Sequence, residues 1–164
     1  MRGVCVAFLS LALALMMAPQ FKISAAVAAE VGGKTKPQRI ILSLGREGDR
    51  KRLFHPSLIS LAVGRPYTLV IENPSLEIHE FDAPGLVSAA RSSDVKVLDD
   101  IGATARPLAK IVGTPAEIEV MPGGTVEWTF VPVLAGSYDI LCDIEDQSGK
   151  THTAMGMKGL ITVK

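Results

Sequence analysis

Residues 136–163, GSYDILCDIEDQSGKTHTAMGMKGLITV, frame a long polar loop between two short β-type runs, Ser137–Cys142 and Gly159–Val163. The same kind of run recurs upstream, at Arg39–Leu44, Leu58–Val63, Tyr67–Glu72, Glu77–Asp82, Ala116–Met121 and Thr125–Val131. Ile59 to Val63 and Thr125 to Phe130 alternate residue by residue, the period of a strand with one buried face. Gly64-Arg65-Pro66, Asn73-Pro74-Ser75, Pro122-Gly123-Gly124 and Ala135-Gly136 punctuate the runs as turns. Many short strands with little helix predict an all-β fold, a Greek-key β-sandwich. Pro84 to Thr114 breaks the rhythm and is expected as a short helical or irregular insertion. Within it, Leu86–Arg91 reads as a helical turn or two and Val95–Leu98 as a further short strand.

At the N-terminus, Arg2 precedes an apolar run from Val4 to Met17, followed by the small residues Ser24 to Ala29. A basic start, an apolar stretch and small residues before a cut describe a secretory signal peptide. Pro19, Gln20 and Lys22 end the apolar run short of the ~20 residues that a spanning helix needs. The expected organisation is a signal peptide over 1–29, a flexible leader over 30–37 and one domain over 38–164, exported to the periplasm without stable membrane insertion. Cleavage removes Arg2 and Lys22 from a chain with equal numbers of basic and acidic residues, leaving a near-neutral, slightly acidic domain. Such a balance gives no electrostatic recommendation for nucleic acid.

Cysteine usage is more telling. Of the two cysteines, Cys5 falls in the signal and Cys142 remains alone. Exported proteins meet an oxidising compartment, where cysteines normally pair. A lone thiol there is either buried as a small hydrophobe or committed as a ligand. Behind Cys142 come His152 and Met157, and upstream His79 lies near the end of the run Glu77–Asp82. Two imidazoles, one thiolate and a thioether form the ligand set of a trigonal copper site with a weak axial Met, since soft sulfur donors select copper. In a β-sandwich these residues would converge at one pole, where strand ends and loops gather.

At these residues the chain resembles the cupredoxins, the blue-copper family of plastocyanin and azurin. The resemblance runs from Leu53-Phe54-His55-Pro56 through Ala62-Val63-Gly64 and Pro122-Gly123 to Lys164. It implies a mononuclear copper site with His79, Cys142 and His152 as ligands and Met157 as the axial one. It also implies single-electron carriage between proteins, with a partner such as a c-type cytochrome. Of the two methionines, Met157 has the family's spacing from His152, and Gly156 would let the chain turn so that Met155 faces outward.

Two features depart from the family. Nine residues, Asp143 to Thr151, separate Cys142 from His152, where familiar members have only a few. Lengthening a loop costs only about 0.6 kcal/mol per doubling, but it brings Glu145, Asp146 and Gln147 within range as oxygen donors. Glu80, directly after His79, stands where plastocyanin and azurin carry an uncharged residue. His55 is left out of the site.

Three functions follow. The first is a soluble, monomeric periplasmic electron carrier, not an enzyme, with His152 near the surface and a docking rim of Ala154, Met155, Pro84 and Leu86. The second is a copper-binding protein for storage, delivery or tolerance, working with a copper-handling partner. The third is a metal-free interaction module, which the intact Cys-His-Met set disfavours.

Overall fold

Strict alternation in Thr125–Pro132 buries Val126, Trp128 and Phe130 on one face and leaves Thr125, Glu127 and Thr129 half-exposed on the other. That pattern organises the whole molecule. The computed structural model describes residues 35–47, 50–98, 109–112, 115 and 117–164. The expected signal peptide, most of the leader and the middle of the 84–114 segment lie outside the described residues. Among the described residues no helix is long and apolar enough to cross a membrane.

The elements are β1 (Gln38–Leu44), β2 (Phe54–His55), β3 (Leu58–Leu61), β4 (Tyr67–Glu72), β5 (His79–Asp82), α1 (Pro84–Ser88), β6 (Ala90–Leu98), β7 (Ala109–Val112), β8 (Glu117–Val120), β9 (Thr125–Pro132), β10 (Gly136–Leu141) and β11 (Lys158–Val163). One sheet runs β2-β1-β4-β9-β6, and the other runs β3-β11-β10-β5-β8-β7. The chain crosses between sheets after β2, β3, β4, β5, β6, β8 and β9. The all-β sandwich expected from the sequence is therefore what the chain forms. Most neighbours are antiparallel, but β1–β4 and β3–β11 are parallel.

The core lies between the sheets. Trp128 and Phe130 of β9 stack with ring centroids 4.1 Å apart, and Phe81 of β5 meets Trp128 from the opposite sheet at 6.3 Å. Leu42, Leu44, Ile71, Ile118, Ile140 and Ile161 close the space around them, all fully buried. The Trp128 indole keeps its N–H satisfied by donating to Ser92 Oγ of β6 at 3.0 Å, so its burial leaves no orphaned donor.

The 84–114 segment is more than an insertion. Its helical turn is α1, begun by Pro84 at the first helical position, where a missing N–H costs nothing. The short strand expected at Val95–Leu98 is the end of the nine-residue β6, which completes one sheet along β9, with a bulge between Ser92 and Asp94. β7 adds the edge of the other sheet beside β8. β6 faces half-outward, with burial too shallow for a clean alternation, and so its pattern in the sequence is weak.

Candidate metal centre

β10 and β11 are antiparallel partners, with Leu141 opposite Lys158. Cys142 follows one strand and Met157 precedes the other, so the two sulfurs belong to the same end of the sandwich. β5 runs antiparallel to β10, with Asp82 opposite Leu141, and its first residue, His79, therefore lies at that end too. The loop between Asn73 and His79 is fixed by Asn73, which is 1% exposed. Its Nδ2 donates to the carbonyls of Glu77 and Val120 at 2.7 and 2.8 Å. Its Oδ1 accepts from Ser75 N–H at 3.1 Å and from Ser75 Oγ at 2.7 Å. Every hydrogen-bonding position of that buried amide is used, which holds the approach to His79 in one shape.

His79, Cys142 and His152 come together. Nδ1 of His79 lies 3.2 Å from Nδ1 of His152, which lies 3.4 Å from Sγ of Cys142. A metal bound with lengths of about 2.0–2.3 Å to three equatorial donors holds them about 3.5 Å apart. The spacing of the side chains fits that requirement. All three are buried, at 0%, 0% and 3% exposed for His79, Cys142 and His152. Nε2 of His79 is buried with no hydrogen-bond partner and sits where a Cβ on Gly45 would come within 3.2 Å. Gly45 has φ +84°, so a glycine both suits the backbone there and leaves room for the ring.

Burial lowers the pKa of both imidazoles. For His79 burial acts with the nearby His152 and Arg52, against Glu77, to bring the value to about 4. For His152 burial acts with the Arg52 charge, against Glu77 and Asp146. Both rings are therefore neutral near pH 7, the form that can ligate. Burial pushes the Cys142 thiol up to about 11, opposed by the backbone N–H groups of Glu80 and Ile144. The Glu80 N–H reaches Sγ at 3.3 Å. A thiol of that kind stays protonated and unreactive without metal, and the same two N–H groups stabilise the thiolate once a metal displaces the proton.

Met157 is fully buried in the core cluster that also contains Cys142. Met155 is only half-buried, and Arg52 Nη1 reaches its Sδ at 2.9 Å. Between them Gly156 adopts φ +107° after the short 3₁₀ turn Thr153–Met155. The two methionines thus diverge, inward and outward, as their spacing suggested.

The long loop after Cys142 folds back on itself. Glu145 bridges Thr151, and Asp146 N–H donates to the Lys150 carbonyl at 3.0 Å. Asp146 Oδ1 accepts from Ser148 N–H, Ser148 Oγ and Lys150 N–H at 2.8, 2.6 and 3.2 Å. Its carboxylate is occupied in making the turn. Among the described residues, the only group of three or more His, Cys, Asp or Glu placed to hold a metal is His79, Cys142 and His152, so the acidic side chains of the loop stay out of it. Glu80, by contrast, is 6% exposed and turns inward, accepting from Asp143 N–H at 3.3 Å. Burial first, then the charge of Glu117, raises its pKa to about 7, with the Asp143 bond opposing.

The surroundings correct the expected rim. Leu86 is fully buried, and α1 packs on β10 and β6, with Gly85 against Tyr138, well along the strand from Cys142. Pro84 and Leu86 therefore do not border the site. His152 is also deeper than expected. It lines a cleft of about 450 Å³ with Arg50, Arg52, Glu77, Asp146 and Ile78, so the approach is charged rather than apolar. His55 is exposed on β2 at the sheet edge, outside the site as expected. Sequence reasoning missed Asn73, Thr153 and Arg52. The one available signal was Asn73, at the head of the turn that leads to His79.

Fold and site together define a class: a β-sandwich with a buried cluster of nitrogen and sulfur side chains at one pole that could hold a metal ion. No family model matches the chain, and no curated protein matches it. Solved structures do. The chain is similar to the dithionite-reduced auracyanin of the photosynthetic bacterium Roseiflexus castenholzii, at 20% identity over 79% of this chain and 99% of that one, with TM-score 0.49. It is similar to the copper protein rusticyanin, at 19% identity over 77% and 76%, with TM-score 0.45. A multicopper oxidase from Campylobacter jejuni matches at 16% identity over 81% of this chain but 31% of its own, with TM-score 0.48.

Proposed function

We propose that the protein is an exported, monomeric blue-copper protein of the cupredoxin type that carries single electrons. His79, Cys142 and His152 would hold one copper, with Met157 as the weak axial donor. The observation that carries the reading is the convergence of two neutral imidazoles and a thiol at 3.2 and 3.4 Å inside the protein. Copper in such a site supplies one-electron redox chemistry, with the thiolate as its strongest soft donor. The chain contributes a rigid mould. Asn73 fixes the segment before His79, and Thr153 fixes Cys142. Those bonds hold the segments that carry the donors, so gaining or losing an electron would require little rearrangement of the protein.

Burial favours carriage over catalysis, because an electron crosses a thin layer of protein and a substrate does not. A redox protein such as a c-type cytochrome would dock near the cleft beside His152. That same cleft supports a second reading, delivery of copper to a copper-handling partner, since it is a route by which the metal could leave. Voltammetry of the copper-loaded protein in the presence of a Cu(I) chelator separates them. A carrier cycles reversibly and keeps its copper, whereas quantitative loss of Cu(I) to the chelator on reduction overturns carriage in favour of delivery.

A further inference from the structure

Arg52 stands just before β2, where its backbone is anchored by the Gly45 N–H to Leu53 carbonyl bond of 2.8 Å and by the buried Phe54 ring. From there its guanidinium reaches three segments that are distant in sequence. Nε and Nη2 donate to the two carboxylate oxygens of Glu77 at 2.9 and 3.3 Å, two residues before His79. Nη1 lies 3.6 Å from Asp146 Oδ2, within the loop from Cys142 to His152. It also lies 2.9 Å from Met155 Sδ, within the turn from His152 to Met157. The Arg52 side chain is 23% exposed, against 18% for Glu77 and 23% for Asp146. By contrast Arg50, the other cation on Glu77, is 74% exposed at 3.8 Å and is screened by solvent.

We propose that Arg52 is a positioning residue of the metal centre, a clasp that fixes the segments bearing His79, Cys142, His152 and Met157 relative to one another before metal binds. Its effect on redox behaviour rests on the function proposed above, whereas its effect on the metal-free protein does not. The Asn73 and Ser75 bonds hold the first loop, one of them reaching the Val120 carbonyl of β8, and the Asp146 turn is internal to the second loop. Arg52 joins the two. Arginine suits the task because its planar fork offers five donors in fixed directions, two of them matched to one carboxylate. A lysine ammonium keeps the charge but cannot pair bidentately.

Amide hydrogen exchange on the metal-free protein reads the clasp directly. Arg52→Ala removes charge-assisted hydrogen bonds to both loops and is expected to speed local exchange by about ten-fold or more. The amides concerned are those of Asp146, His152 and Met157, which donate within these loops to Lys150, Ile144 and His152 carbonyls. Leu69 and Trp128, partners in the sheet interior, should exchange unchanged, and Arg52→Lys should recover part of the protection. Uniform acceleration across the protein, or none at the three loop amides, overturns the proposal. If Arg52→Ala does not fold, Glu77→Gln gives the same comparison, with a smaller increase expected at His152 and Met157 and no increase contradicting the clasp. In the copper-loaded protein, removing the cation should lower the reduction potential and Glu77→Gln should raise it. Shifts of the same sign in both would mean that only packing is disturbed and would overturn the positioning role. A wild-type protein that takes up no copper refutes the functional reading while leaving the exchange result to judge Arg52.

Discussion

A single hydroxyl, Thr153 Oγ1, accepts from Cys142 N–H at 2.9 Å and lies 3.0 Å from the Cys142 carbonyl, to which it donates. The Thr153 N–H donates to that same carbonyl at 2.8 Å. The thiol's backbone is thus held by the residue that follows His152, which couples two donors through one side chain. Thr153→Val keeps the shape but leaves the Cys142 N–H unpaired, at an expected cost of about 1–3 kcal/mol in chemical denaturation of the metal-free protein. Met157 and Met155 are distinguished in the same way. Met157→Leu removes the proposed weak axial donor, so the reduction potential of the copper form should rise while the visible colour persists. Met155→Leu should leave the spectrum unchanged. The reverse pattern in the two spectra would exchange their roles.

His79 adds a pH dependence at this scale. Its folded pKa of about 4 lies below the ordinary imidazole value of 6.5, so the unfolded chain binds the proton first on acidification. The His79 contribution to stability of the metal-free protein is therefore full above about 6.5 and lost as pH falls toward about 4, while Glu80, raised to about 7, contributes with the opposite sign across the same window. The slope from His79 is at most about 1.4 kcal/mol per pH unit. His79→Leu should flatten that window in urea melts collected as a function of pH, and an unchanged profile would contradict the assignment. That His79, Cys142 and His152 belong together was legible from residue type and order, because few roles suit a lone cysteine followed by His and Met. Arg52 and Thr153 were not, because arginine before a strand and threonine in a loop are common, and only the folded chain brings them to the donors.

At the scale of elements, β4 and β9 were readable to within a residue, since β9 alternates strictly and β4 is a short apolar run between turn signals. The two-residue β2 and the edge strands β6 and β7 were not. β2 is too short to show a period, and β6 has a bulge that shifts its pattern midway. The inter-sheet contact of Trp128 with Phe81 puts the most weight on β9 and β5. Trp128→Ala is expected to cost about 3–5 kcal/mol. A loss well under 1 kcal/mol by thermal or chemical melting would mean that the sheets are held elsewhere.

For the whole molecule, the sandwich acts as a frame that brings one end of β5, β10 and β11 together. In the cleft beside His152, Arg50, Arg52, Glu77 and Asp146 mix both signs of charge. That charged approach was hidden in the sequence, because its residues come from three separate loops. Export is the expectation that belongs at this scale: intact mass of protein recovered from producing cells should begin near Glu30, and full-length protein in the membrane fraction would favour an anchor instead. The most direct test of the metal centre itself is the visible spectrum of the metal-free protein titrated with Cu(II), beside Cys142→Ser. With one copper per chain an intense thiolate-to-copper charge-transfer band should grow in, and it should be absent from the variant. A colourless wild-type complex at full metal stoichiometry would contradict the blue-copper centre.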